Sequence, residues 1–222
     1  MKTIFLITLI ISILFLVVSM INKKVKKVKK VKKVKKVKIV KIVKSGIKTI
    51  VVIRHGEKPK KPSYGQLNCQ GFNRSLKIAK LFKKMYGVPK AIFATKPVRS
   101  LDNTADNYGS YIRPIITIEP YAISTEKAVD VTYGFNNKDM KALAKQLFNA
   151  VPGNYIIAWE HKAAVKLIKY ICATFGKESP IKNWDSNDFD SIYEIKYDYD
   201  KKKFSFVVKK QNLNNLSKKC IF

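Results

Sequence analysis

The sequence predicts an α/β layered domain, and three observations carry that prediction. A β-branched run, Ile47–Arg54, has strand length and breaks off at a charged cluster and a glycine. Segments of helical periodicity then alternate with further short apolar runs, the pattern that lays helices against a central sheet. The only two histidines, His55 and His161, each follow closely on one of these expected strands, where open α/β sheets gather their chemistry.

The chain opens with residues 3–21, 19 residues without a charge, and a helix of that length roughly spans a hydrocarbon core. Residues 1–22 are therefore expected to form an uncleaved transmembrane anchor; a cleaved signal peptide is the alternative, with small residues at Val17 and Ser19. From Lys23 to Lys44 the unit KKV recurs, supplying 13 lysines and no acid. A strict spacing of three matches neither the strand period nor 3.6, so no coiled-coil stripe forms and residues 23–46 read as a low-complexity polybasic linker. Beside an anchor, such a strip lies on anionic lipid, each basic residue contributing roughly 1 kcal/mol. The positive-inside bias keeps the C-terminal domain cytoplasmic on this reading, whereas cleavage would release a secreted form.

Of the 222 residues, 46% are hydrophobic, ample for one packed core over residues 47–222. The formal charge of +30 comes from 45 basic against 15 acidic side chains. Fourteen of the lysines precede residue 45, and the rest of the chain is basic but mixed. Nucleic acid is disfavoured as a partner because no aromatic residue interleaves with the lysine repeat to stack bases. Cys69, Cys172 and Cys220 form no C-x-x-C pair and are odd in number, so they read as free thiols in a reducing compartment.

Within the domain, residues 73–86 place Leu76, Ala79, Phe82 and Tyr86 on one helical face, and residues 138–149 and 162–175 do likewise. Strands are expected at 90–94 and 155–159, and a terminal hairpin at 191–195 and 204–208, turning at 198–203. Trp159 and Trp184 read as core residues. Arg74 reads as a charge on the helix surface. Lys58, Lys60 and Lys61 form a basic loop that is either solvated or an electrostatic funnel.

Four blocks, in order, resemble the histidine phosphatase superfamily, whose fold is phosphoglycerate-mutase-like, and together they cover most of residues 47–210. Arg54-His55-Gly56-Glu57 resembles its RHG motif, and Leu67–Arg74 resembles its leucine-to-glycine approach to the first helix. Ser110–Thr117, with Glu119, Pro120 and Ala122, resembles the segment carrying a second phosphate-binding arginine. Trp159-Glu160-His161 resembles the strand end bearing the second histidine. Lys162 stands where many members have glycine. The resemblance implies a three-layer domain with a central, mostly parallel sheet, acting on a phosphorylated small molecule or a phosphoprotein with no cofactor and no metal.

The chemistry of these residue types agrees with that implication. An imidazole attacks a phosphoryl group and splits its hydrolysis into two displacements, which makes His55 the expected nucleophile. Arg54 and Arg113 offer planar forks to the phosphoryl oxygens, with Arg99 as a rival for the second. His161 is an expected donor to the same oxygens, and Gly56 lets backbone approach the bound phosphate. Glu57, Glu119 and Glu160 are all candidates for the acid that protonates the leaving group. The expected activity is phosphomonoester hydrolysis through phosphohistidine. A mutase and a catalytically inactive phosphate-binding module are the alternatives.

Overall fold

The computed structural model describes residues 16–24, 44–60, 65–97 and 110–221. The chain divides into two units, Met1–Val43 and Lys44–Phe222. In the first, residues 16–24 are helical, and among the described residues no helix is long and apolar enough to cross a membrane. Most of the apolar stretch and nearly all of the KKV repeat lie outside the described residues.

The second unit runs β1 (Ile47–Arg54), α1 (Cys69–Tyr86), β2 (Ala91–Ala94), α2 (Arg113–Ser124), β3 (Val129–Asp130), α3 (Asn137–Asn149), β4 (Gly153–Trp159), α4 (His161–Thr174), β5 (Ser191–Asp198) and β6 (Lys203–Lys210). Its strands form one six-stranded sheet in the order β3-β2-β4-β1-β5-β6. The pairings β3–β2, β2–β4 and β4–β1 are parallel, whereas β5 is antiparallel to both β1 and β6. The sheet is thus mixed and mostly parallel.

Residues of β1 alternate between two cores, as a strand buried on both faces must. Val51 and Ile53 meet Ile78, Phe82 and Tyr86 of α1 and Ile118 and Tyr121 of α2. Ile50 and Val52 meet Met140, Leu143 and Leu147 of α3 and Leu167, Ile168 and Ile171 of α4. The chain steps outward from β1 to β3 with helices on one face and returns through β4 with helices on the other, as right-handed crossovers require. The expected three layers are present. Trp159 and Trp184 lie in the α3/α4 core.

Several expectations are corrected. Helix α1 starts at Cys69 rather than 73, because the Asn68 side chain caps it by accepting from the Gly71 N–H at 2.9 Å. Its apolar face turns Ile78 inward and leaves Leu76 exposed. Helix α2 and the short strand β3 had no periodic signature; α2 carries Pro114 in its first turn and Pro120 inside it. A buried face of Thr117, Ile118, Tyr121 and Ala122 keeps it helical regardless. The cysteines are not all free: Cys69 and Cys220 form a disulfide across 151 residues of sequence, with Cα atoms 4.7 Å apart, and Cys172 alone is a buried free thiol. The fold lays the C-terminal tail on the start of α1, which linear spacing does not encode.

At the end of the sheet where β1 begins, Lys48 is fully buried and donates to the carbonyl oxygens of Leu147 and Phe148 at 2.6 and 2.8 Å. It satisfies the last carbonyls of α3. Burial, with the neighbouring Lys44 charge behind it, pushes the Lys48 ammonium down to about 7.

Candidate active site

The two histidine-bearing strand ends are direct neighbours. Strands β1 and β4 pair in parallel with Arg54 opposite Trp159, and the His55 N–H donates to the Trp159 carbonyl at 3.0 Å. From this edge the chain leaves β1 toward the α1 face and leaves β4 toward the α4 face. Adjacent strand ends that part in this way open a crevice, the usual ligand site of an open α/β sheet.

His55 is 2% exposed and its Nδ1 lies 2.7 Å from the Gly56 carbonyl oxygen. A carbonyl only accepts, so Nδ1 carries the hydrogen of that bond and the neutral ring keeps its lone pair on Nε2. Burial holds the imidazole well below its ordinary 6.5, and the charges of Arg54, Arg113 and His161 push it the same way against the Gly56 hydrogen bond. The ring packs against Tyr111 and Phe189, with centroids 5.9 and 6.1 Å away.

Arg54 is also buried. One terminal nitrogen donates to the Ser186 carbonyl at 2.6 Å, with the Asp185 and Asp188 carbonyls at 3.5 and 3.4 Å. Its guanidinium carbon stands 3.8 Å from the Phe189 ring centroid, and its Nε is buried without a hydrogen-bond partner. An orphaned guanidinium donor beside a neutral imidazole suits an oxyanion. That the loop 185–189 reaches this point is not legible in its Asp-Ser-Asn-Asp composition, which signals only a turn.

Arg113 opens α2, buried, with Nε donating to the Gln66 carbonyl at 3.1 Å and its guanidinium 5.0 Å from the Tyr111 ring centroid. Thr117 explains this placement: its hydroxyl donates to the Arg113 carbonyl at 2.8 Å and accepts from the Gly56 N–H at 2.8 Å, tying the RHG loop to the first turn of α2. The rival Arg99 lies outside the described residues, as does Lys61.

His161 begins α4. Glu160 caps that helix by accepting from the Ala163 N–H at 2.8 Å, and its other oxygen meets His161 Nδ1. Burial lowers the His161 imidazole, and Arg54, Lys162 and Lys58 add to the lowering while Glu160 opposes it.

Two expectations change at the RHG loop. Arg74 is not on the surface but fully buried. It grips both oxygens of Glu57 at 2.7 to 3.2 Å, and also meets Asp190, Gln211 and the Leu213 carbonyl. Gly56 has its N–H engaged by Thr117 rather than turned to a ligand, and a Cβ there would come 2.9 Å from the Gly71 carbonyl oxygen. The reciprocal clash at Gly71 would be 2.3 Å from the Glu57 oxygen. The two glycines therefore serve close backbone packing between loop and helix.

The acid candidates also separate. Glu57 is committed to Arg74, Glu119 is exposed on α2, and Glu160 lies beside His161 with its charge felt by Arg54 and Tyr111.

Neither a known family model nor a curated protein matches this chain. Among solved structures, the chain is similar to a Nakamurella multipartitia protein provisionally named phosphohistidine phosphatase SixA, with TM-score 0.48 and 11% identity over 75% of this chain and 97% of that one. It is also similar to a mycobacterial glucosyl-3-phosphoglycerate phosphatase, with TM-score 0.42 and 12% identity over 73% and 97% of the two chains. A further likeness is to an Agrobacterium tumefaciens protein also provisionally named phosphohistidine phosphatase SixA, with TM-score 0.40 and 12% identity over 72% and 97%.

Proposed function

We propose that the domain is a histidine-phosphatase-type hydrolase that cleaves phosphomonoesters at His55. The observation that carries this reading is the His55 ring itself, neutral, with Nδ1–H bound to the Gly56 carbonyl and its Nε2 lone pair available amid the charges of Arg54 and Arg113. Nε2 forms a bond to phosphorus as the bond to the leaving oxygen breaks, and Arg54 and Arg113 stabilise the charge on the equatorial oxygens. The leaving oxygen takes its proton from the His161–Glu160 pair. That pair then deprotonates the water that attacks phosphohistidine, releasing phosphate and restoring His55. Given a labelled phosphomonoester, the enzyme is expected to acquire an acid-labile, base-stable phosphoryl group. Locating the label on any residue other than His55 would end this mechanism. One observation favours the second reading of a binding module, namely that His55 is 2% exposed; phosphate binding with no turnover and no label would establish it.

We further propose that residues 3–21 and the lysine repeat attach the protein to membranes. The run of 13 lysines opposes translocation and supports a cytoplasmic domain. The Cys69–Cys220 disulfide weighs the other way, since such bonds persist in oxidising compartments. Protease protection in sealed vesicles separates the two: digestion of the domain from the cytoplasmic side supports the anchored reading, and full protection with a new N-terminus near Met20 supports the secreted one.

A further inference from the structure

Tyr111 carries a polar group that the reaction described above leaves unused. Tyr121 donates to the Gly87 carbonyl and Tyr155 to the Val151 carbonyl, at 2.7 Å each, and Tyr86 donates to Glu194 at 3.0 Å. The Tyr111 hydroxyl, by contrast, is buried with no hydrogen-bond partner among the described residues. Tyr199, whose hydroxyl is likewise unpartnered, lies at the other end of the sheet beside Lys44 and Lys48. An orphaned buried hydroxyl is costly, so its placement against the reactive histidine calls for an explanation.

The surroundings of Tyr111 are those of the phosphoryl site. Its ring stands edge-on to His55 with centroids 5.9 Å apart, and the Arg113 guanidinium lies 5.0 Å from its centroid. The charges that act on the phenol are those of Arg113, Glu160 and Arg54, the groups assigned to the phosphoryl oxygens and to the proton. Both arginines only donate, so neither takes up the phenolic hydrogen. Burial pushes the phenol above its ordinary 10, with Glu160 adding to the rise and the two arginines opposing it, so the hydrogen stays in place at any working pH. The side chain is also held still. Phe135 packs on the ring with centroids 5.5 Å apart, the Ile112 N–H donates to the Gly65 carbonyl at 2.9 Å, and a Cβ on Gly65 would come 2.9 Å from the Tyr111 Cα. A fixed, uncharged donor in a buried site is well suited to stabilise negative charge that develops beside it.

We propose that Tyr111 is a further catalytic residue, its hydroxyl donating to an equatorial oxygen of the transferring phosphoryl group alongside Arg54 and Arg113. The assignment rests on the hydrolase reading above and adds a neutral donor to it.

Full-length Tyr111→Phe keeps the ring and removes the hydroxyl alone. With 4-nitrophenyl phosphate as substrate, kcat should fall on the order of 10²-fold. The limbs of the pH profile should stay in place, because a donor that never ionises transfers no proton. Orthovanadate, which takes up the five-coordinate geometry of the transition state, should lose affinity by a similar factor, and inorganic phosphate by only a few fold. The melting temperature should hold or rise, since an unpaired buried hydroxyl has been removed. An unchanged kcat overturns the assignment, as does a kcat loss accompanied by unchanged vanadate affinity, a missing pH limb or a lowered melting temperature. A wild-type protein without turnover overturns the hydrolase reading instead. In that case weaker phosphate binding by Tyr111→Phe retains the tyrosine as a phosphate ligand, and equal binding overturns both.

Discussion

The ends of β1 and β4 lie side by side and each delivers a histidine, yet they are built differently. The β1 end is locked from behind: Gly56 packs on Gly71 and donates to Thr117, and Glu57 is gripped by a buried arginine. The β4 end is held by a helix cap, with Glu160 serving both the α4 N-terminus and His161. His55 is accordingly a buried neutral ring in a fixed tautomer, whereas the His161 side chain is 14% exposed and leans on a carboxylate that favours its proton. The first arrangement suits a group that must present a lone pair. The second suits a group that gives and takes a proton.

The largest expected effect breaks the asymmetry at its stronger side. His55→Ala removes the proposed nucleophile and should lower kcat on the order of 10⁴-fold or more, with no phosphoryl label. His161→Ala weakens the proton-transferring pair but leaves His55 in place, and should cost on the order of 10²–10³-fold in kcat while labelling persists. Equal losses for the two variants would erase the division of roles. The measurement is steady-state turnover beside acid-quenched labelling.

Stability should divide the two ends as well. Arg74→Met leaves Glu57 and Asp190 without their buried partner, and breaking such a pair costs about 3–5 kcal/mol. Glu160→Ala removes a cap at the crevice, which costs about 1 kcal/mol. Urea unfolding of both variants reads the ratio, and a smaller loss for Arg74→Met than for Glu160→Ala would show that the β1 end is not locked in the manner described.

The same contrast explains how far the sequence could be read. Strand β1 and the Trp159-Glu160-His161 end were legible because buried parallel strands are continuous apolar runs, and the polar residues that end them stand out. The supporting groups were not. Arg74 sits on a helix where charge normally faces water, and apart from Glu57 the groups that make its burial tolerable, Asp190, Gln211 and the Leu213 carbonyl, stand more than 100 positions away. The disulfide partner of Cys69 and the carbonyls of the 185–188 loop are equally distant in sequence. Helix α2 was hidden by its prolines, although Thr117, the residue that ties it to the loop, was already part of the recognised motif. What the local pattern shows is where strands end; what holds those ends is non-local.

The smallest expected effect separates the histidines by pH. In the folded protein both rings are held below 6.5, His55 the further. Between those lowered values and 6.5 the unfolded chain binds more protons than the folded one, so stability rises with pH across that window and is fully present above it. Lowering the pH from 7.5 to 5 should therefore reduce the melting temperature, with the loss beginning as unfolded histidine starts to take up protons. The lowered carboxylates Asp188 and Glu194 have ordinary values of 3.8 and 4.5 and add losses of the same sign only in more acidic solution. His55→Gln should flatten the slope between pH 7.5 and 5 more than His161→Gln does, because Glu160 returns part of the proton affinity that burial takes from His161. Calorimetric melting of the three proteins at half-unit intervals measures this directly. A steeper residual slope in His55→Gln than in His161→Gln would place the more strongly perturbed ring at the β4 end and reverse the roles assigned to the two histidines.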